Sequence, residues 1–175
     1  MNIDSVNRVD RAAFISAFGE IFEHSPWVAE RTCAARPFAS IDALHVAMVN
    51  TVKAAPQTEQ LALLRAHPDL AGKEAAAGTM TSASVTEQST AGLDNLSRAE
   101  LAQIGALNAA YRAKHGFPFI IAVRHYTKAG IFYEFARRIG NDSETEFTTA
   151  LEQVFAIARL RLARLVESEV ARSTI

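Results

Sequence analysis

Apolar residues return every three to four positions along nearly the whole chain, and prolines or glycines cut that pattern into short helical pieces until one long unbroken piece closes the sequence. Phe14, Phe18, Ile21 and Phe22 keep this spacing after Asp10, and the series halts at Ser25-Pro26, where a second short helix starts with Pro26 in its first turn. Ser40 precedes a third series, Ile41, Leu44, Met48 and Val52, which ends before Pro56. Pro56 suits the first turn of a fourth helix carrying Leu61 and Leu64. That helix should end at His67, because Pro68 disfavours helical dihedrals in its predecessor. Ser97-Arg98-Ala99-Glu100 is a capping box, and its helix runs through Leu101, Ile104, Leu107 and Tyr111 to a stop at Gly116 and Pro118. A further helix over about 129–139 stops at Gly140. The last begins after Asn141-Asp142-Ser143. Its stripe of Phe147, Leu151, Val154, Phe155, Ala158, Leu162, Leu165 and Val166 leaves Arg159, Arg161, Arg164 and Glu167 mostly for the other faces.

Two stretches fall outside this rhythm. Residues 69–83, with Gly72, Gly78 and several Ser and Thr, show no sustained period and read as a loop of the length that is often functional. Residues 117–123 alone resemble a strand, but a lone strand has no partner for its backbone groups, so an extended segment near 117–124 is expected instead. The expectation is an all-α fold: a single-domain multi-helix bundle, residues 1–175, of about eight helices.

A chain of 175 residues has the size of one ordinary domain. Hydrophobic residues make up 49% and charged residues 21%, which argues against disorder and against a membrane span. Lys plus Arg (18) nearly balances Asp plus Glu (19), so there is no long-range field to recruit nucleic acid. The single Cys33 can form neither an internal disulfide nor a thiolate cluster, which fits a reducing compartment. The start, Met1-Asn2-Ile3-Asp4-Ser5, lacks the regions of a signal peptide, and the end, Ser173-Thr174-Ile175, is not the Ser-Lys-Leu peroxisomal address. A cytoplasmic location follows as the expectation.

The residues with chemical potential lie where helices stop or start. His67, at a helix C-terminus, meets the negative end of the dipole, which favours imidazolium and biases the ring towards donating a proton; the plainer account is a ring covering the last carbonyls. Ser84, Glu87 and Gln88 stand at i, i+3 and i+4, so on a helix they share one side and can converge on a small polar ligand. The same Ser84-Val85-Thr86-Glu87 is also a capping box, and taken alone that account is the stronger. Glu87 beside His67 would raise the imidazole pKa and form an acid–base dyad. The run Gly116-Phe117-Pro118-Phe119-Ile120-Ile121-Ala122-Val123 is too apolar for a solvated loop and too irregular for a strand; a planar, urea-like ligand would suit its amides, and a core-crossing strand is the competing account. Arg124 follows, suited to a substrate carboxylate or to a structural Glu.

Metal chemistry has little support. His24, His45, His67, His115 and His125 show no His-x-x-x-His spacing, and no Gly-rich phosphate loop is present. Trp27 reads as a core or interface anchor.

Together, Ser25-Pro26-Trp27-Val28-Ala29, His67-Pro68-Asp69-Leu70-Ala71-Gly72-Lys73, Ser84-Val85-Thr86-Glu87-Gln88 with Ala91-Gly92-Leu93, and Asn108 through Tyr111 to the 116–124 stretch resemble one family, in one order, over about residues 20–165. It is the 2-oxo-4-hydroxy-4-carboxy-5-ureidoimidazoline (OHCU) decarboxylases of urate breakdown. The resemblance implies an all-α homodimeric lyase of purine metabolism, needing no metal or organic cofactor, that converts OHCU to (S)-allantoin and carbon dioxide. It also implies His67 as the catalytic acid/base, Glu87 as its partner, and Pro68, Ser84, Val85, Thr86, Glu87, Gln88, Phe119, Ile120, Ile121, Ala122 and Val123 bordering the substrate, with Arg124 as a carboxylate or carbonyl partner. Read without the resemblance, the same residues also fit a non-catalytic helical dimerisation or ligand-binding module, or a ureide hydrolase in which His67 and Glu87 activate water.

Overall fold

The structure, a computed structural model, describes residues 2–172, and their side chains through residue 165. Among these residues ten α-helices form: α1 (Ile3–Arg8), α2 (Arg11–Phe18), α3 (Trp27–Thr32), α4 (Ile41–Ala54), α5 (Gln57–Arg65), α6 (Lys73–Ala77), α7 (Ser82–Thr90), α8 (Arg98–His115), α9 (Lys128–Arg138) and α10 (Ser143–Arg172). Two 3-10 turns, Cys33–Ala35 and Val123–His125, complete the described elements, none of which is a strand. The all-α expectation holds. The helices beyond the expected eight or so include α1 and α6, each little more than one turn and too short to show an apolar period.

The stop and start signals operate as their chemistry requires. Asp10, Ser40, Ser97 and Thr127 each accept a backbone N–H of the first turn that follows, satisfying donors that have no partner inside the helix. Ser97 and Glu100 form the full capping box. Gly116 ends α8 at φ +78°, a conformation nearly free of cost only for glycine. Two boundaries differ from expectation. Helix α2 ends at Phe18, so Ile21 and Phe22 belong to a tight turn beyond it, although both are buried. Helix α5 ends at Arg65, two residues before His67.

The chain groups into two compact units, Met1–Leu63 with Phe155–Ile175, and Leu64–Val154. In the first, α3 packs against α2 and α4, and Val6, Phe14, Phe18, Phe22, Val28, Leu44, Met48, Val52 and Leu162 fill the interior. Arg161, expected on an outward face, is instead buried in this unit. It pairs with the equally buried Glu23 at 2.8 Å, so desolvation of each charge is offset by the other. Val166 and Glu167 lie outside the described side chains, and Ser173-Thr174-Ile175 outside the described residues.

The second unit holds residues 67, 84–88 and 117–124. Its α8 buries Ile104, Asn108, Tyr111 and His115, one stripe at helical spacing. Residues 118–122 take no regular secondary structure and join no sheet, as their isolation in the sequence requires. Side chains take the place of a neighbouring strand: Arg138 Nη1 donates to the Ile120 carbonyl at 2.8 Å, and the Ala122 N–H donates to Gln153 Oε1 at 2.9 Å. The Arg138 guanidinium also lies over the Phe119 ring at 4.5 Å, and Phe119 stacks on Phe135 with centroids 3.9 Å apart.

Arg138 is itself held by Glu146, whose Oε2 accepts from Arg138 Nε (3.1 Å), Arg138 Nη2 (2.9 Å) and the Tyr111 hydroxyl (2.5 Å), while Oε1 accepts from Asn141 (2.7 Å). Burial pushes the Glu146 carboxyl up, but the hydrogen bonds from Arg138 and Tyr111 outweigh it and leave its pKa below the ordinary value. Burial, with Glu146 as neighbour, pushes Tyr111 well up, so the phenol stays a donor. Removing one partner of a buried pair strands the other charge. Glu146→Ala should therefore lower unfolding free energy by about 3–5 kcal/mol, read from urea denaturation; a loss within the range of an exposed ion pair, about 1 kcal/mol, would contradict this account.

His115 adds a pH dependence. Its Nδ1 lies 3.0 Å from Ser143 Oγ, while its Nε2 is buried with no hydrogen-bond partner. Burial lowers its pKa from 6.5, against attraction by Glu146 and Asp142 and helped by repulsion from Lys114 and Arg138. As pH falls through 6.5 the unfolded chain takes up this proton before the folded one, so the stability present above 6.5 is progressively lost below it. The fall in melting temperature from pH 7.5 to 5.5 should be smaller in His115→Gln than in the parent; equal falls would remove His115 from the acid response.

Candidate active site

His67 sits just past the end of α5, its N–H on the Leu64 carbonyl at 3.2 Å, and its residue surface is only 7% exposed. A histidine this enclosed is shielded from bulk water, the setting in which a neighbouring charge acts most strongly on an imidazole. Pro68 follows, half-buried, and the chain turns sharply: the Gly72 N–H bonds to the Asp69 carbonyl, and Ala71 takes φ +45°, a left-handed conformation that L residues rarely adopt. A Cβ at position 72 would stand 2.6 Å from Asp69 Cβ, so glycine is required there for close approach within the turn.

Three side chains hold this turn. Gln88 Oε1 accepts the Ala71 N–H at 2.8 Å, Asn108 Nδ2 donates to the Leu70 carbonyl at 2.9 Å, and Arg112 Nη2 meets Asp69 Oδ1 at 2.8 Å. Residues 69–83 are thus not a plain loop: they are an anchored turn, the short helix α6, and the start of α7. Helix α7 is capped by Thr81, whose side chain accepts the Ser84 N–H, so Ser84 lies in the first turn instead of capping it. The capping-box account of Ser84 and Glu87 is thereby set aside.

Within α7 the i, i+3, i+4 reading is visible in burial. Ser84, Glu87 and Gln88 are buried, whereas Val85 is 46% exposed and Thr86 is exposed with its hydroxyl on the Ser82 carbonyl. Gln88 has already committed its oxygen to Ala71, and its Nε2 points at Met80 Sδ, 3.3 Å away, a weak acceptor. Helix α7 packs against the 3-10 turn Val123–His125. Phe119, Ile120, Ile121, Ala122 and Val123 are all buried, and Arg124, within that turn, is exposed.

The second unit therefore joins the 67–71 turn to α7 through Gln88, and α7 to the end of the 117–123 segment through packing. The side of α7 carrying Ser84, Glu87 and Gln88 is its buried one. Val85, Thr86 and Arg124 point to the surface. Among the described residues, no group of three His, Cys, Asp or Glu side chains could hold a metal ion.

Asn108, Arg112, Arg138 and Gln153 are residues whose part in shaping this region the sequence reading did not assign. Asn108 could have been found, since it occupies the core-facing stripe of α8 between Ile104 and Tyr111, where a polar side chain needs a reason. The same applies to Arg138 at a buried position of α9.

The model of the family described as OHCU decarboxylase matches residues 7–163. The 2-oxo-4-hydroxy-4-carboxy-5-ureidoimidazoline decarboxylase of Haloferax volcanii is 47% identical over 97% of this chain and 98% of its own length. A crystal structure of (S)-allantoin synthase superposes with a TM-score of 0.74 at 33% identity, covering 94% of this chain and 54% of that one, so this chain spans about half its length. A crystal structure of OHCU decarboxylase in the presence of (S)-allantoin gives a TM-score of 0.64 at 26% identity over 79% of this chain and 89% of the other. By the breadth of these matches, which take in the 67–73, 84–88 and 116–124 motifs alike, the chain belongs to the OHCU decarboxylase family.

Proposed function

We propose that this chain converts OHCU to (S)-allantoin and carbon dioxide, with His67 as the proton donor and Glu87 as its partner. The observation that carries the reading is the burial of His67, Ser84, Glu87 and Gln88 in one unit of a chain whose relatives bear this activity in their names. OHCU supplies its own electron sink: as the bond from C4 to the carboxylate breaks, its electron pair flows into the adjacent C=N bond. That leaves a C4=C5 enol, so the protein then has to orient the ring, keep the departing carboxylate from strong solvation and deliver a proton from one face to C5, the carbon bearing the ureido group, while the C4 hydroxyl gives up its proton and becomes the ring carbonyl of allantoin. An enclosed imidazole at position 67 suits the last task, and one-sided delivery accounts for a single enantiomer.

Pro68, Ser84, Gln88 and the 119–123 backbone are our candidates for bordering the ligand; Val85, Thr86 and Arg124 would contribute through backbone groups or after closure, given their exposure. The family match runs across both compact units, which supports reading residues 1–175 as one OHCU decarboxylase-like domain. The proposal includes a homodimer and a cytoplasmic reaction; the buried single Cys33 suits a reducing compartment, and none of the described helices is long and apolar enough to cross a membrane.

The test is to generate OHCU in situ from urate with urate oxidase and hydroxyisourate hydrolase, add the protein, and follow circular dichroism for (S)-allantoin alongside carbon dioxide release. Spontaneous decay gives racemate, so an enzyme-dependent dichroic signal with carbon dioxide is expected, whereas a hydrolase would release none. His67→Ala and Glu87→Gln should stay folded and lose turnover by about a hundredfold or more. Optically pure product at the parental rate from His67→Ala would refute its role.

A further inference from the structure

Helix α8 grips the chain on both sides of His67. Arg65 Nε donates to the Gly116 carbonyl at 2.9 Å, Arg112 meets the Asp69 carboxylate at 2.8 Å, and Asn108 donates to the Leu70 carbonyl at 2.9 Å. Asn108 and Arg112 are spaced by four, one turn apart on the same side of α8, and Gly116 caps the end of the helix. Their partners run the opposite way, 70, 69 and 65. The segment carrying His67 therefore lies antiparallel to α8, tied down before the histidine by one contact and after it by two.

We propose that Asn108 and Arg112 are positioning residues for the reaction, acting through the 65–70 segment to fix where the His67 ring stands; this rests on the reading of His67 as the proton donor. Three observations go beyond ordinary packing. Ala71, next in the chain, is held at φ +45°, so the turn does not keep its shape by local preference and depends on outside contacts. Asn108 is 7% exposed with its Oδ1 unpartnered, a buried polar group whose one bond is spent on this turn. Arg112 and Asp69 meet where Asp69 is shielded, their side chains 41% and 16% exposed, so the pair is screened less than a fully solvated one. A proton donor displaced by even an ångström loses rate while the groups that bind substrate remain in place.

The experiment compares Arg112→Ala, Arg112→Lys, Asn108→Ala, Lys114→Ala and His67→Ala in the OHCU assay. Lys114 also donates to a backbone carbonyl, that of Ile139 at 2.8 Å, from the same helix but away from the side of Asn108 and Arg112, and serves as the control for a purely structural bond. Arg112→Ala and Asn108→Ala should lower kcat by about ten- to a hundredfold with KM changed by less than about threefold, and Arg112→Lys, which still reaches Asp69 as a point charge, should recover most of the loss. Lys114→Ala should keep the parental kcat. Folded Arg112→Ala with kcat within about twofold of the parent overturns the proposal, as does equal loss in Arg112→Lys and Arg112→Ala. If Asn108→Ala does not fold, the Arg112 pair decides alone. His67→Ala separates the two readings: with it inactive and Arg112→Ala fully active only the positioning role falls, and with it fully active both fall.

Discussion

Irregular backbone can be buried only if something other than a helix or sheet pairs its N–H and C=O groups, and in this protein side chains do so. The 117–123 segment is nearly inaccessible to water, yet it joins no sheet. Its Ile120 carbonyl is met by Arg138 and its Ala122 amide by Gln153. Arg138 could not stand in such surroundings alone, so Glu146 neutralises it, and Tyr111 and Asn141 fill the remaining capacity of the carboxylate. A single buried ion pair thus lets an apolar, non-repeating stretch occupy the interior and expose its shape to whatever packs beside it.

The 67–72 turn solves the same problem by other means. It is short, carries one left-handed alanine and one obligatory glycine, and is held by an amide from α7 and an amide and guanidinium from α8. Chemistry placed on such a turn is free of the constraints of a helix surface and still rigid, because its geometry is set by neighbouring elements. That combination suits a proton donor that must address one face of a small ring.

Much of this was legible from local chemistry. The caps at Asp10, Ser40 and Ser97, the stop at Gly116 and the non-helical run after it follow from side-chain acceptors, positive φ and proline, all of which act within a few residues. The errors share one physical origin. Ser84 with Glu87 three residues later has the form of a capping box, but Thr81 begins the helix earlier, and only the path of the chain after α6 determines which hydroxyl meets the free amide. The apolar stripe of α10 leaves Arg161 mostly for an outward face, since charge is costly to bury; Glu23, distant in sequence, offsets that cost. Val85 and Thr86 lie between the buried Ser84 and Glu87 in sequence and away from them in space, as helical geometry demands.

By itself the sequence determined the helical class, most element ends and the three short motifs that mark the family, since each depends on periodicity or on contacts between near neighbours. Tertiary structure decided which polar groups may be buried and which backbone carbonyls and amides they satisfy. Those pairings join residues that are far apart in sequence, such as Asn108 and Leu70 or Arg138 and Ile120, and no local propensity encodes them. The reason is that the cost of burying a charge or a free carbonyl is set by the partner that folding brings to it.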